Sequence, residues 1–133
     1  MLLVHPGGPF WQKRDEGVWS IPKGEFAENE VGIDVARREF QEELGTAAPA
    51  GEATPLGEVR QKGGKVVHAW AVLGDLDVTR TTSNTFEIEW PPRSGKMQSF
   101  PEVDRATWFD PITARRKVLP AQGAFIDRLE EQL

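Results

Sequence analysis

Short apolar runs alternate along the 133-residue chain with stretches rich in glycine, proline and charge. Residues 2–5 predict a short strand, which the following Pro-Gly-Gly-Pro run ends. Residues 57–60 and 65–73 predict two strands joined by a Lys-Gly-Gly turn. Residues 85–90 alternate apolar and acidic positions, as a half-buried strand does, and residues 103–109 predict a last strand.

Two segments carry the periodicity of amphipathic helices. Residues 31–44 predict a helix that ends at Gly45, because glycine readily takes the left-handed conformation that closes a helix. Residues 120–132 predict a second helix. The predicted core side of the first helix is one apolar arc formed by Ile33, Ala36, Phe40 and Leu44. Strands interleaved with two helices predict a sheet covered by helices, an α/β or α+β sandwich, in a single domain over residues 1–133.

Composition and charge narrow the possible functions. The chain has 16 Lys and Arg against 21 Asp and Glu, a net charge of −5, which argues against tracking a nucleic-acid polymer. A small anionic substrate stays compatible if a metal ion reverses the local sign. The absence of cysteine excludes disulfides and thiol nucleophiles. We also expect no secretory signal and no membrane span, and therefore a cytoplasmic location.

Three glutamates share one arc of the first predicted helix. Glu39 lies three residues before Glu42 and four before Glu43, so the Cβ atoms should lie roughly 5–6 Å apart. Like charges at this spacing repel, and carboxylates near a helix C-terminus oppose its dipole. A hard divalent cation such as Mg²⁺ or Mn²⁺ would relieve both effects. A solvated face with salt bridges to the neighbouring arginines is the alternative for the helix taken alone.

The residues that flank these three glutamates favour a metal site over a solvated face. From Gly24 to Thr46 the spacing closely resembles the box of the Nudix family, G-x5-E-x7-R-E-U-x-E-E-x-G-U, where U is a bulky apolar residue. All seven fixed identities are present, and Phe40 fits the first U. Thr46 departs from the second U, a packing position that leaves the ligand set intact. The fixed positions are Gly24, Glu30, Arg38, Glu39, Glu42, Glu43 and Gly45.

The resemblance implies a Nudix-type α/β/α sandwich with a mixed central sheet, and hydrolysis of a phosphoanhydride in a nucleoside diphosphate linked to another group. It implies that Glu39, Glu42 and Glu43, with the Gly24 carbonyl, bind Mg²⁺ or Mn²⁺. Glu42 and Glu43 are then catalytic as well. Glu30, Arg38 and Gly45 would be structural members of the box.

A later glutamate often supplies the base or a further ligand in this family. Glu102 is the first candidate, because it lies six residues before Trp108, a spacing similar to that in dinucleoside polyphosphate hydrolases. Glu89 and Glu87 are the alternatives. Each could equally be an exposed loop or strand carboxylate.

The substrate signals are weaker. The Pro-Lys-Gly that leads into the box resembles members acting on dinucleoside polyphosphates, inositol pyrophosphates or capped RNA, and the short chain argues against polymers. Diadenosine tetraphosphate or a nucleoside triphosphate is therefore the expected substrate. Lys23, Arg93 and Lys96 are candidate phosphate ligands, with a role as solvated loop residues as the alternative for each. Trp11, Trp19 and Phe10 are candidates for stacking on a base, Trp11 ahead of Trp19, but a tryptophan is more often a core residue.

Three further expectations complete the prediction. His5 and His68 should be packed strand residues without a catalytic role. Nudix chains usually carry a strand before the one matched by residues 2–5, so either the start is truncated or the sheet lacks its usual first strand. An unpaired edge would invite dimerisation, so the expected state is a monomer or a homodimer. The competing function is a sensing module that binds a nucleotide without cleaving it, but such modules usually lose box glutamates.

Overall fold

The computed structural model describes residues 1–22 and 32–132 of the chain. Within these described ranges, six strands and three α-helices follow one another, with short 3₁₀ turns at Val78–Arg80 and Pro120–Gln122. The strands are β1 (Leu2–Pro6), β2 (Thr54–Arg60), β3 (Val66–Ala71), β4 (Thr85–Glu89), β5 (Met97–Pro101) and β6 (Val103–Trp108). The helices are α1 (Gly32–Leu44), α2 (Pro111–Lys117) and α3 (Gly123–Gln132). The chain is thus of the α+β class.

In the described part of the chain, the strands form three antiparallel ladders of two strands each, β1–β6, β2–β3 and β4–β5. Two isolated bridges extend the first ladder: Val4 pairs antiparallel with Ser20, and Trp19 pairs in parallel with Val118. Strand pairing around β1 is therefore mixed in direction, as expected for this fold, although the ladders do not join into one continuous sheet.

Helices cover both faces of β1, because its successive side chains point to opposite sides. Leu3 packs in a cluster with Ala114 of α2 and Ile126 of α3. Its neighbour Val4 packs with Leu44 of α1. This alternation places α1 on one side of the strand and the other two helices on the opposite side, which is the sandwich that the sequence predicts.

The β2–β3 hairpin leans on α3. Phe125 is buried with residues of both strands in a third cluster. Gly57, with φ of +77°, marks a register shift in β2, and Arg128 of α3 donates hydrogen bonds to the carbonyls of Leu56 and Glu58 on either side of it. An open, mainly apolar cavity of about 780 Å³ lies between this hairpin and the core side of α1, whose Ile33, Ala36 and Phe40 line it.

Most predicted elements are present with shifted ends. The last helix is divided, because residues 120–122 form a 3₁₀ turn before α3. Residues 97–101, for which the sequence gives no alternating pattern, form β5 by pairing with β4. On α1, Leu44 is fully buried as predicted, whereas Ile33, Ala36 and Phe40 are only half-buried, and Val35, outside the predicted arc, is buried.

No helix in the part of the chain that the structure describes has the length and apolar character needed to cross a membrane.

Candidate functional site

The C-terminal end of α1 is capped by the segment that leads into β4. Gly45 closes the helix with φ of +72°, and its N–H donates to Gln41 O at 2.7 Å. The N–H groups of Thr82 and Asn84 then donate to the helix carbonyls of Leu44 and Glu42, at 3.0 and 3.1 Å. A side chain at position 45 would collide with Thr82, whose Oγ1 would lie 2.0 Å from the new Cβ. Glycine at this box position is therefore required by both conformation and space.

A chain of backbone hydrogen bonds continues from this cap to Glu102. Glu102 N–H donates to Asn84 O at 2.8 Å, and Glu102 O accepts from Gly7 N–H at 2.9 Å. Asn84 therefore binds Glu42 of α1 on one side and Glu102 on the other. Three segments that are distant in sequence are held together at the acidic end of α1 by main-chain contacts.

The closest approach at this junction is that of Gly7 to Pro101. A Cβ at this position would lie 1.9 Å from the carbonyl oxygen of Pro101 and 2.9 Å from its carbonyl carbon. Only a residue without a side chain lets the chain after β1 pass so near to the segment that carries Glu102.

The carboxylates at this junction influence one another. The pKa of Glu39 is raised, first by partial burial and then by the negative charge of Glu42. A side-chain hydrogen bond with Glu42 and the charge of Glu102 raise the pKa further, whereas the Arg38 guanidinium, at 3.8 Å, opposes the shift. Glu39, Glu42 and Glu102 therefore lie within electrostatic range of each other. Glu43, next along α1, is half-buried.

Within residues 1–22 and 32–132, no three His, Asp or Glu side chains already converge closely enough to hold a metal ion. The chemistry of the donors nevertheless fits a divalent cation. Glu39 and Glu42 are close enough to share a hydrogen bond, an arrangement that a proton or a cation must stabilise. Carboxylate oxygens are the ligands that Mg²⁺ and Mn²⁺ prefer.

Three predicted site residues, Lys23, Gly24 and Glu30, lie outside the described residues. The alternatives to Glu102 lie on β4: Glu87 and Glu89 are exposed and alternate with the half-buried Phe86 and Ile88. They therefore occupy the outer face of that strand.

The predicted substrate residues are divided between the surface and the core. Trp11 is partly exposed, and Arg93 and Lys96 lie exposed in the turn between β4 and β5. Trp19, in contrast, is only 3% exposed. It packs in the cluster of Leu3, and its indole N–H donates to Asp15 at 2.8 Å. Trp19 is therefore a core residue, the alternative that the sequence favours for it over base stacking.

His5 is a packed strand residue, as predicted. It is fully buried, and its Nδ1 and Nε2 lie 2.7 Å from Asp104 Oδ1 and 2.6 Å from the carbonyl oxygen of Arg14. The carbonyl can only accept, so Nε2 donates to it, and His5 thereby connects Arg14 to Asp104 of β6. This contact fixes the loop after β1 to β6. His68, in contrast to the prediction, is exposed on β3 and lies 3.3 Å from Glu58.

Gln122 is a buried residue that sequence reasoning missed. Its Oε1 accepts from Ile21 N–H at 3.0 Å, and its Nε2 donates to Gln61 Oε1 at 2.8 Å and to Ser20 Oγ at 3.0 Å. It therefore holds the segment that leads to residue 22, directly before the predicted box loop. Glutamine inside a helix carries no sequence signal for this role. Gly7 and Asn84 were missed for a related reason, since they act through the backbone.

The fold and this junction define an α+β domain that concentrates acidic side chains at one helix end. A family model of the NUDIX domain matches residues 1–129. The chain therefore belongs to the Nudix family, whose members are pyrophosphohydrolases that act on acid anhydrides of nucleoside diphosphate derivatives and generally use divalent metal ions.

Among solved structures, the solution structure of the E. coli ORF135 protein is similar, with a TM-score of 0.58 and 23% sequence identity. The match covers 98% of this chain and 79% of the ORF135 chain. At this level of identity the likeness concerns the fold. No curated protein matches the sequence.

Proposed function

We propose that this Nudix enzyme hydrolyses a phosphoanhydride in a dinucleoside polyphosphate or a nucleoside triphosphate, with Glu39, Glu42 and Glu43 as carboxylate ligands of Mg²⁺ or Mn²⁺. The observation that carries the proposal is the backbone chain from Glu42 through Asn84 to Glu102. It supports a site in which carboxylates from a helix and from a strand connection face the same substrate.

Each residue has a separate task in this proposal. A bound divalent ion would neutralise phosphate oxygens and acidify the attacking water. Glu102, carried by the β5–β6 connection, accepts the proton of that water as general base. Glu42 and Glu43 complete the acidic face of α1, and Arg38 restrains Glu39 from 3.8 Å. No covalent nucleophile is needed, because water attacks phosphorus directly.

The substrate's phosphates and base would be bound by residues around this junction. We assign the phosphate contacts to Lys23, Arg93 and Lys96, and the first base contact to Trp11. The partial exposure of Trp11 and the exposure of both hairpin cations support this assignment. The Gly24 carbonyl would be a further metal ligand, with Glu30 and Gly45 maintaining the box.

A hydrolysis screen tests the proposal. The purified protein is incubated with diadenosine tetraphosphate, standard and oxidised nucleoside triphosphates, ADP-ribose and NADH, with Mg²⁺ or Mn²⁺, and the products are identified. We expect turnover that EDTA abolishes. Failure to cleave any of these compounds, combined with nucleotide binding, would identify a sensing module instead.

A variant pair tests the site. Glu43→Gln should lower kcat by roughly 10²- to 10⁴-fold, the range for loss of a group that acts on the reacting atoms. Glu131→Gln, an exposed change on α3, is the matched control and should leave kcat unchanged. Equal activity in both variants would remove Glu43 from the site.

A further inference from the structure

The loop at residues 7–17 lies against one face of the β4–β5 hairpin. Gly8 approaches Phe86 so closely that a Cβ there would lie 2.9 Å from the ring, and Phe86 is 6.2 Å from Phe100 across the hairpin. Further along the hairpin, the rings of Phe10 and Trp90 meet edge to face, with centroids 5.3 Å apart and planes at 80°. Loop and hairpin thus meet through aromatic side chains along their length.

The Phe10 end of this contact is open to solvent. Phe10 is 59% exposed and its neighbour Trp11 is 37% exposed. An edge-to-face pair leaves part of each ring face uncovered. Contiguous exposed aromatic surface is typical of a binding site.

Positive charge surrounds the same aromatic contact. The Arg14 guanidinium lies 5.5 Å from the centre of the Trp11 ring. Trp90 N–H donates to Lys96 O at 2.9 Å, which places the main chain of Lys96 beside that of Trp90. Arg93 and Lys96 form no ion pair with any residue in the ranges 1–22 and 32–132, whereas Arg116 and Lys117 on α2 are paired with carboxylates. In a chain with a net charge of −5, two cations without acidic partners beside aromatic rings favour an anionic ligand with a planar group.

We propose that Phe10 and Trp90, with Lys96 following Trp90 in the hairpin, form a binding site for a base of a polyphosphate nucleotide, in addition to the base contact assigned to Trp11. The base stacks on the open face of Phe10, and the ammonium of Lys96 contacts the phosphates. The connection of this base site to catalysis rests on the proposed function, whereas binding of a base at the site does not require the metal.

The position of this site restricts where the substrate is cleaved. Asn84, which contacts both Glu42 and Glu102, directly precedes β4, and Trp90 directly follows it. Five strand steps separate Thr85 from Trp90, which corresponds to about 17 Å at the rise of an antiparallel strand. Phe10 meets the hairpin at the Trp90 end of β4 and Asn84 lies at the other end, so the base and the carboxylates lie towards opposite ends of this strand. An extended substrate, such as a dinucleoside polyphosphate, meets this condition.

The test measures binding in EDTA, so that hydrolysis does not contribute. ATP and adenosine are titrated by calorimetry into the wild-type protein and three variants of Phe10. Phe10→Ala removes the side chain, Phe10→Leu keeps an apolar group without a ring, and Phe10→Tyr keeps the ring. Ile112→Ala, which changes an exposed apolar residue on α2, is the matched control.

We expect ATP affinity to fall about ten- to a hundredfold in Phe10→Ala and Phe10→Leu, the effect of losing one base–aromatic stack. Phe10→Tyr and Ile112→Ala should bind as the wild type does. Lys96→Gln should weaken ATP and leave adenosine unchanged. Wild-type affinity in Phe10→Leu, or the absence of ATP binding to the wild-type protein, would overturn the inference. Failure of the hydrolysis screen with this binding pattern intact would refute only the proposed catalytic function.

Discussion

Replacement of Gly7 by alanine is a sharp test of how the acidic junction is built. The added Cβ would lie 1.9 Å from Pro101 O, and Cβ atoms essentially never approach a neighbour more closely than 3.0 Å. Both partners belong to main-chain segments, so no flexible side chain can move aside. The segment at Pro101 must therefore retreat by about 1 Å, and Glu102 moves with it; a displacement of that size at a reacting group costs on the order of 10²-fold in rate.

The assay is kcat at saturating Mg²⁺ on the best substrate of the hydrolysis screen, with thermal unfolding measured in parallel. We expect kcat to fall about a hundredfold, while strain from overpacking costs about 1–3 kcal/mol of stability. Gly64→Ala is the matched control, because its φ of +84° strains an alanine but nothing lies within 4 Å of the new Cβ. That variant should lose stability and keep its kcat. A folded Gly7→Ala protein with wild-type kcat would refute the reasoning.

Three other changes give independent checks. Glu102→Gln should lower kcat by roughly 10²- to 10⁴-fold without changing the melting temperature, and full activity would transfer the role of base to another group. Gln122→Leu leaves the Ile21 N–H without its acceptor at a cost of about 1–3 kcal/mol, visible as a melting temperature several degrees lower; an unchanged value would contradict the role given to Gln122. The pKa of Asp15 is lowered by hydrogen bonds from Lys117 and Trp19, so its contribution to stability is present above its unfolded pKa and is lost as pH falls. The free energy of unfolding, measured by denaturation between pH 7 and pH 2, should therefore fall less steeply with decreasing pH in Asp15→Asn than in the wild type. Identical slopes would argue against this contribution.

The sequence predicts those parts of the molecule that depend on local pattern. Alternation identifies β4, and glycine after an amphipathic stretch identifies the end of α1. The spacing of the box glutamates likewise places them on one helix face through the helical period alone. The strand at residues 97–101, in contrast, is formed by pairing with β4, so its own composition carries little signal.

Residues that act across the fold could not be found in this way. Nothing local distinguishes Gly7 from the chain's other glycines, because its close approach depends on Pro101, 94 residues later. Trp19 illustrates the same limit: a tryptophan beside a predicted site can stack on a ligand or fill the core, and only the packing around Leu3 decides between the two roles.

The loop after β1 is fastened at three points along its length. Gly7 N–H binds Glu102 O near its start, Arg14 O binds His5 in the middle, and Gly17 N–H binds Arg116 O at its end. A connection anchored in this way has already lost much of its conformational freedom in the unliganded protein. Little entropy then remains to be lost on association, and the rings that it carries can receive a base as a rigid, preorganised surface.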